Sequence, residues 1–232
     1  MAGSKFLFWM LAAFAFLTAA CTAPQHFSDQ NELQNGDLVF VGIPIDYDIG
    51  DTADMAGAIA SATGHDELLR FIHVAILEKQ ADSVWIIDAT IKHGIDRHPI
   101  DTLFADFTLE DGSLPLFVVK RLRNNKDAAR YVEQSKQFLG RAYDMAFLPD
   151  NDELYCSELV RDSYVTTSGK HIFKAAPMNF KSPDGTYPPF WTHFFDMIGQ
   201  PIPQGVQGTN PQDMYKEKCL VPVKATLTKK AE

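Results

Sequence analysis

Cysteine is scarce in this chain of 232 residues, with three in all: Cys21, Cys156 and Cys219. So few thiols exclude a disulfide-stapled scaffold, and stability has to come from a buried core. Basic stretches are missing too. Lys and Arg number 21 against 30 Asp and Glu, a net charge of −9, which argues against nucleic acid as a partner and against electrostatic docking on anionic lipid. The chain has no internal repeat and no low-complexity linker, so a solenoid or a string of domains is excluded and one α+β domain is the simplest account.

What is present begins with an address. Lys5 precedes an apolar run, Phe6 to Ala20, that ends at Leu17-Thr18-Ala19-Ala20-Cys21. The run is too short for a comfortable membrane span and stops at small residues, as a secretory signal does. A cysteine after two alanines resembles the bacterial lipobox, with a departure at Thr18, where leucine is commonest. The expectation is a signal peptide over 1–20, a lipid on Cys21 that anchors the exported protein to a bacterial membrane on its periplasmic or outer-membrane face, a polar tether over 21–35, and one domain over 36–232. With Cys21 lipidated, Cys156 and Cys219 are expected to be free thiols.

Leu38 to Gly42 has strand composition. A short helix is expected over 52–63, strands over 71–78 and 84–89 joined by residues 79–83, and another strand over 116–119. Amphipathic spacing predicts helices over 124–139 and 152–166. The proline- and aromatic-rich tail, with Phe190-Trp191-Thr192-His193-Phe194-Phe195, is expected to cover the core, and 220–223 to add an edge strand.

Cys156 falls in the first turn of the second helix, where the partial positive charge of the helix N-terminus favours thiolate. His73 and Asp88 are ionisable residues within two otherwise apolar strands. A hairpin centred between Gln80 and Ala81 sets them directly opposite one another, within reach of a carboxylate–imidazole hydrogen bond. A carboxylate there orients the ring and stabilises imidazolium, the orienter's part in a Cys-His-acid triad. A one-residue slip would part them.

The segments Gly36-Asp37-Leu38-Val39-Phe40, His73-Val74-Ala75-Ile76, Asp88-Ala89, Gly140-x-x-Tyr143-Asp144-x-x-Phe147 and Tyr155-Cys156-Ser157-Glu158-Leu159-Val160 occur in an order that resembles the circularly permuted NlpC/P60-type papain-like enzymes, specifically the YiiX/YaeF-like group. In the permuted order the histidine-bearing strands precede the cysteine, as here. The resemblance implies a permuted papain-like α+β fold, an antiparallel sheet or small barrel packed against the helix that bears the nucleophile. It implies Cys156 as nucleophile, His73 as general base and Asp88 as third member, with Tyr143 and Tyr155 lining the substrate cleft. Asp88 departs from the glutamate frequent at that position and is one methylene shorter.

The function expected is a cysteine amidase or peptidase that forms a thioester intermediate in the cell envelope, on peptide or amide substrates such as cell-wall fragments, with no cofactor. Two alternatives stay open: a lipid acyl hydrolase or acyltransferase, since lecithin:retinol acyltransferase-type relatives share the permuted fold, and a non-catalytic binding lipoprotein. His93 and His98 match no compact metal-ligand spacing, and no metal is expected. Asp46, Asp48, Asp51 and Asp54 lack the glutamate of a calcium loop and read as a solvated acidic loop.

Overall fold

The computed structural model describes residues 32–44, 69–81, 83–225 and 227. The expected signal peptide, the lipid-bearing Cys21, the helix over 52–63 and the acidic loop at 46–54 lie outside these.

Six strands form one antiparallel sheet: β1 (Asp37–Pro44), β2 (Leu69–Gln80), β3 (Ser83–Thr90), β4 (Gly94–Pro99), β5 (Leu116–Leu122) and β8 (Leu220–Pro222), in the order β4-β3-β2-β1-β5-β8. A two-stranded ribbon pairs β6 (Ala176–Pro177) with β7 (Gln207–Gly208). Both faces of the main sheet are covered. Leu38, Phe40, Val74, Ile76 and Ile87 pack under α2 (Ala128–Ser135), α3 (Cys156–Ser163) and α5 (Pro211–Tyr215). Val39, Val41, Ala75, Leu77 and Ile86 pack against Ile100, Leu103 and Phe104 of α1 (Ile100–Asp106). Burial on two faces explains why β1 reads as a continuous apolar run with no polar alternation. The aromatic tail forms a third cluster: Trp191, Phe194 and Phe195 of α4 (Pro189–Ile198) enclose Phe147, Tyr155, Met178 and Phe180. The tail thus covers the core, as its composition predicts.

The Gly36-Asp37 opening is structural. Gly36 takes φ 73°, and a Cβ there would stand 3.0 Å from that of Ala128. Its carbonyl accepts a 2.8 Å hydrogen bond from the Tyr164 hydroxyl. Asp37 is fully buried and receives both Nε (2.6 Å) and Nη2 (2.8 Å) of Arg121, as well as the N–H of Gln34. This fork ties the start of β1 to β5.

Three expectations need correction. The β2–β3 ladder closes with Gln80 opposite Ser83, so the turn has two residues and the hairpin is centred between residues 81 and 82. Lys79, Gln80 and Ser83 belong to the strands, with Lys79 opposite Val84 and Gln80 opposite Ser83. His73 and Asp88 are therefore diagonal rather than directly opposed. The strands expected from the sequence omit β4, Gly94–Pro99, in which Asp96 pairs with Asp88. The helix expected over 124–139 runs Ala128–Ser135 and tightens into a 3-10 turn at Lys136–Phe138; the one expected over 152–166 runs Cys156–Ser163.

Candidate active site

β2 carries His73, β3 carries Asp88, and α3 begins at Cys156. All three are buried, Asp88 completely. The β2–β3 ladder ends at Ile76–Ile87 although both strands run on, and the three side chains meet beyond that last pair.

His73 Nε2 lies 2.7 Å from Asp88 Oδ2. Cys156 bonds to the same ring, and both residues border one cleft. Burial opposes a charged imidazole, but the bonds to Asp88 and Cys156 outweigh it and push the His73 pKa up to about 10. Burial likewise opposes the Asp88 carboxylate, yet its bonds to His73 and His98 bring it down to about 2. Near neutral pH, then, an imidazolium faces the sulfur and a carboxylate backs it. The Phe107 ring lies against His73, centroids 4.6 Å apart at 35°, and limits the swing of the imidazole.

His98 is a further member of this cluster that sequence reasoning did not place in it. From β4 its Nε2 reaches Asp88 Oδ1 at 3.1 Å, and its Nδ1 lies 3.0 Å from the Pro99 carbonyl. Asp88 is thus gripped at both oxygens. The signal available was the strict alternation Asp96-x-His98 on the strand after Asp88, which puts both residues on one face. His93, by contrast, lies in a turn beside Asp106 (3.1 Å). Among the described residues, Asp88, Asp96 and His98 form one grouping whose ligand atoms lie within 4.8 Å of one another. Two carboxylates and an imidazole suit a divalent cation, and a cation there would compete with His98 for Asp88.

The thiol sits at the start of α3 for local reasons. Tyr155 is the extended N-cap residue, and the buried Glu158 stands in the first turn. Burial first, then Asp162 and Asp144, push the Glu158 pKa up to about 8, which keeps a negative charge away from the thiol near neutrality. The N–H of Cys156, opening the helix, has no intrahelical acceptor and is an oxyanion donor of suitable type. Cys156 and Cys219 are both free thiols.

Two cavities flank Cys156, and Ile72 and Tyr143 also border both. One is an open cleft of about 400 Å³ walled by Ala89, Ile91, Ala105 and Phe107, with His73 exposed to it. Lys92 and Asp106, paired at 2.7 Å, stand at its rim. The other is a recess of about 60 Å³ within the aromatic cluster. Tyr143 and Tyr155 both line the recess, but the Tyr155 hydroxyl is engaged internally: it accepts from Thr209 N–H (2.9 Å) and donates to Met178 Sδ (3.8 Å).

No curated protein matches the sequence. A solved structure described as the metalloprotein YiiX from Escherichia coli O157:H7 superposes with a TM-score of 0.61 at 22% identity, covering 83% of this chain and 97% of that one. Residues 32–223 match the family described as permuted papain-like amidase enzymes, YaeF/YiiX, C92. The antiparallel sheet backed by a cysteine-bearing helix agrees with that description, and the chain belongs to this family of cysteine hydrolases.

Proposed function

We propose that the protein is a cysteine amidase of the bacterial cell envelope, with Cys156 as nucleophile, His73 as base and Asp88 as orienter. The observation that carries this reading is the 2.7 Å bond between His73 and Asp88 together with the Cys156 bond to the same ring. Cys156 Sγ, with His73 as its proton partner, attacks the carbonyl carbon of an amide. The developing oxyanion is met by the Cys156 N–H at the start of α3. His73 then donates the proton to the leaving amine, the C–N bond breaks and a thioester remains. Water, deprotonated by His73, attacks the thioester, and the acid departs as Sγ leaves.

Peptides from the cell wall are the proposed substrates, and the signal-like run before Cys21 supports export with a lipid on that residue. Incubation with cell-wall peptide fragments, with mass spectrometry of the products, tests the activity. A new amine and acid terminus that vanishes in Cys156→Ala supports the assignment; intact fragments with the wild type, or cleavage persisting in the variant, reject it. Loss of labelled palmitate in Cys21→Ser tests the anchor.

A second reading, hydrolysis of lipid acyl groups, is favoured by one observation: the cleft beside Cys156 is open and its walls are mostly carbon. Release of fatty acid from phospholipid vesicles by the wild type, with cell-wall peptides left intact, would decide for it.

A further inference from the structure

The recess on the far side of Cys156 has a chemical character of its own. Its walls are Phe147, Tyr155, Met178, Phe180 and Trp191, and no charged residue lines it. Most of its polar groups already have partners. The Tyr155 hydroxyl is engaged by Thr209 and Met178, Ser157 and Thr209 bond one another at 3.0 Å, and the Asn210 side chain is taken up by Asp213 at both ends. Trp191 is the exception: it is 2% exposed, and its Nε1–H has no acceptor. An ionised group in the recess would lose its hydration with no counter-charge.

Size narrows the class further. A cavity of this kind needs roughly 10–15 Å³ to hold one water, so about 60 Å³ accommodates a group of only a few heavy atoms. Paired charges lie on the opposite side of the thiol, at the rim of the cleft. The two sides of Cys156 therefore ask for different things.

We propose that this recess is a specificity subsite for a small, uncharged, apolar group next to the scissile carbonyl, while the larger remainder of the substrate occupies the open cleft. The proposal rests on Cys156 as nucleophile, and it narrows the substrates to amides flanked by a short aliphatic or similar neutral side chain.

Maleimides with graded N-substituents test it without knowledge of the natural substrate. N-methyl, N-ethyl, N-propyl and N-cyclohexyl maleimide, with the N-aminoethyl and N-carboxyethyl reagents, are reacted with the full-length protein. Rates at Cys156 and Cys219 are read by peptide mass spectrometry and normalised to glutathione. The Cys156 rate is expected to peak at ethyl or propyl and to fall about tenfold or more for the cyclohexyl reagent and for both charged tails. Phe180→Ala should move the optimum to the cyclohexyl reagent. Equal rates across all tails, charged tails matching ethyl, or an optimum unmoved in Phe180→Ala would overturn the subsite. Failure of the nucleophile reading looks different: Cys156 would then react no faster than Cys219 with any reagent.

Discussion

His98 Nε2 stands 3.1 Å from Asp88 Oδ1, on the carboxylate oxygen that His73 leaves free. Two imidazoles from β2 and β4 thus hold one fully buried aspartate from β3 between them. Burial disfavours the His98 cation, but the bond to Asp88 outweighs it and raises the pKa. His98 touches neither the sulfur nor the cleft; its effect on chemistry passes through the carboxylate.

Replacing His98 by Ala is expected to lower kcat about tenfold or more with KM within about twofold, because a carboxylate free to rotate misplaces the base. His98→Gln keeps a donor for Oδ1 and should recover most of the loss. Steady-state kinetics of the two variants check this. A fall in KM and kcat together, with no recovery in the glutamine variant, would mean that His98 only packs.

Asp88→Asn removes the charge that, with the Cys156 bond, keeps the His73 pKa near 10. His73 is raised above its ordinary 6.5, so its contribution to stability is complete below about pH 6.5 and is lost as pH rises through about 10. In the wild type the alkaline limb of kcat/KM should lie near pH 10, where His73 loses the proton destined for the leaving amine. In Asp88→Asn that limb should move to lower pH, and kcat should drop by about 10²–10⁴. A pH–rate profile with an unmoved limb would show that Asp88 does not tune the base.

The His-Asp pairing was legible from two ionisable residues set in apolar strands, yet its register was not. A five-residue connection was read where the chain makes a two-residue turn, with Ala81 in a positive-φ conformation (49°) that asparagine or glycine would have announced. The true centre lies one residue further on, which shifts the pairing register by two, and because side chains alternate with period two the shift left His73 and Asp88 on one face. A slip of one would have separated them. β4 escaped notice because Gly94-Ile95-Asp96-Arg97-His98 is polar in composition: Asp96 and His98 face Asp88, and Arg97 covers Trp85 at 3.8 Å. The recess was invisible for another reason. It joins Phe147 to residues from 178 to 211, and contacts of that span leave no periodic trace.

Glu158 yields a prediction about stability. Its pKa is raised from 4.5 to about 8, so between those values the folded protein binds a proton that the unfolded chain does not. Stability attributable to this residue therefore declines as pH rises from about 4.5 to 8. Glu158→Gln should remove that decline. Chemical denaturation at pH 5 and pH 8 checks it: the variant should gain on the wild type at pH 8, and equal differences at the two pH values would refute the assignment.

The Asp37–Arg121 fork allows a test of why the chain opens with Gly36-Asp37. Asp37 is fully buried, with two of its three bonds from Arg121. Arg121→Ala leaves a carboxylate with only the Gln34 N–H, and breaking a buried pair from one side costs about 3–5 kcal/mol. For a domain of this size that lowers Tm by about 6–20 °C, at about 2–4 °C per kcal/mol. Because most of the loss comes from the stranded charge, Asp37→Asn combined with Arg121→Met should be more stable than Arg121→Ala alone, the asparagine still accepting from Gln34. Thermal unfolding of the single and double variants decides. A double variant less stable than the single would mean that the ion pair itself, and not the avoidance of an unpaired buried charge, holds β1 to β5.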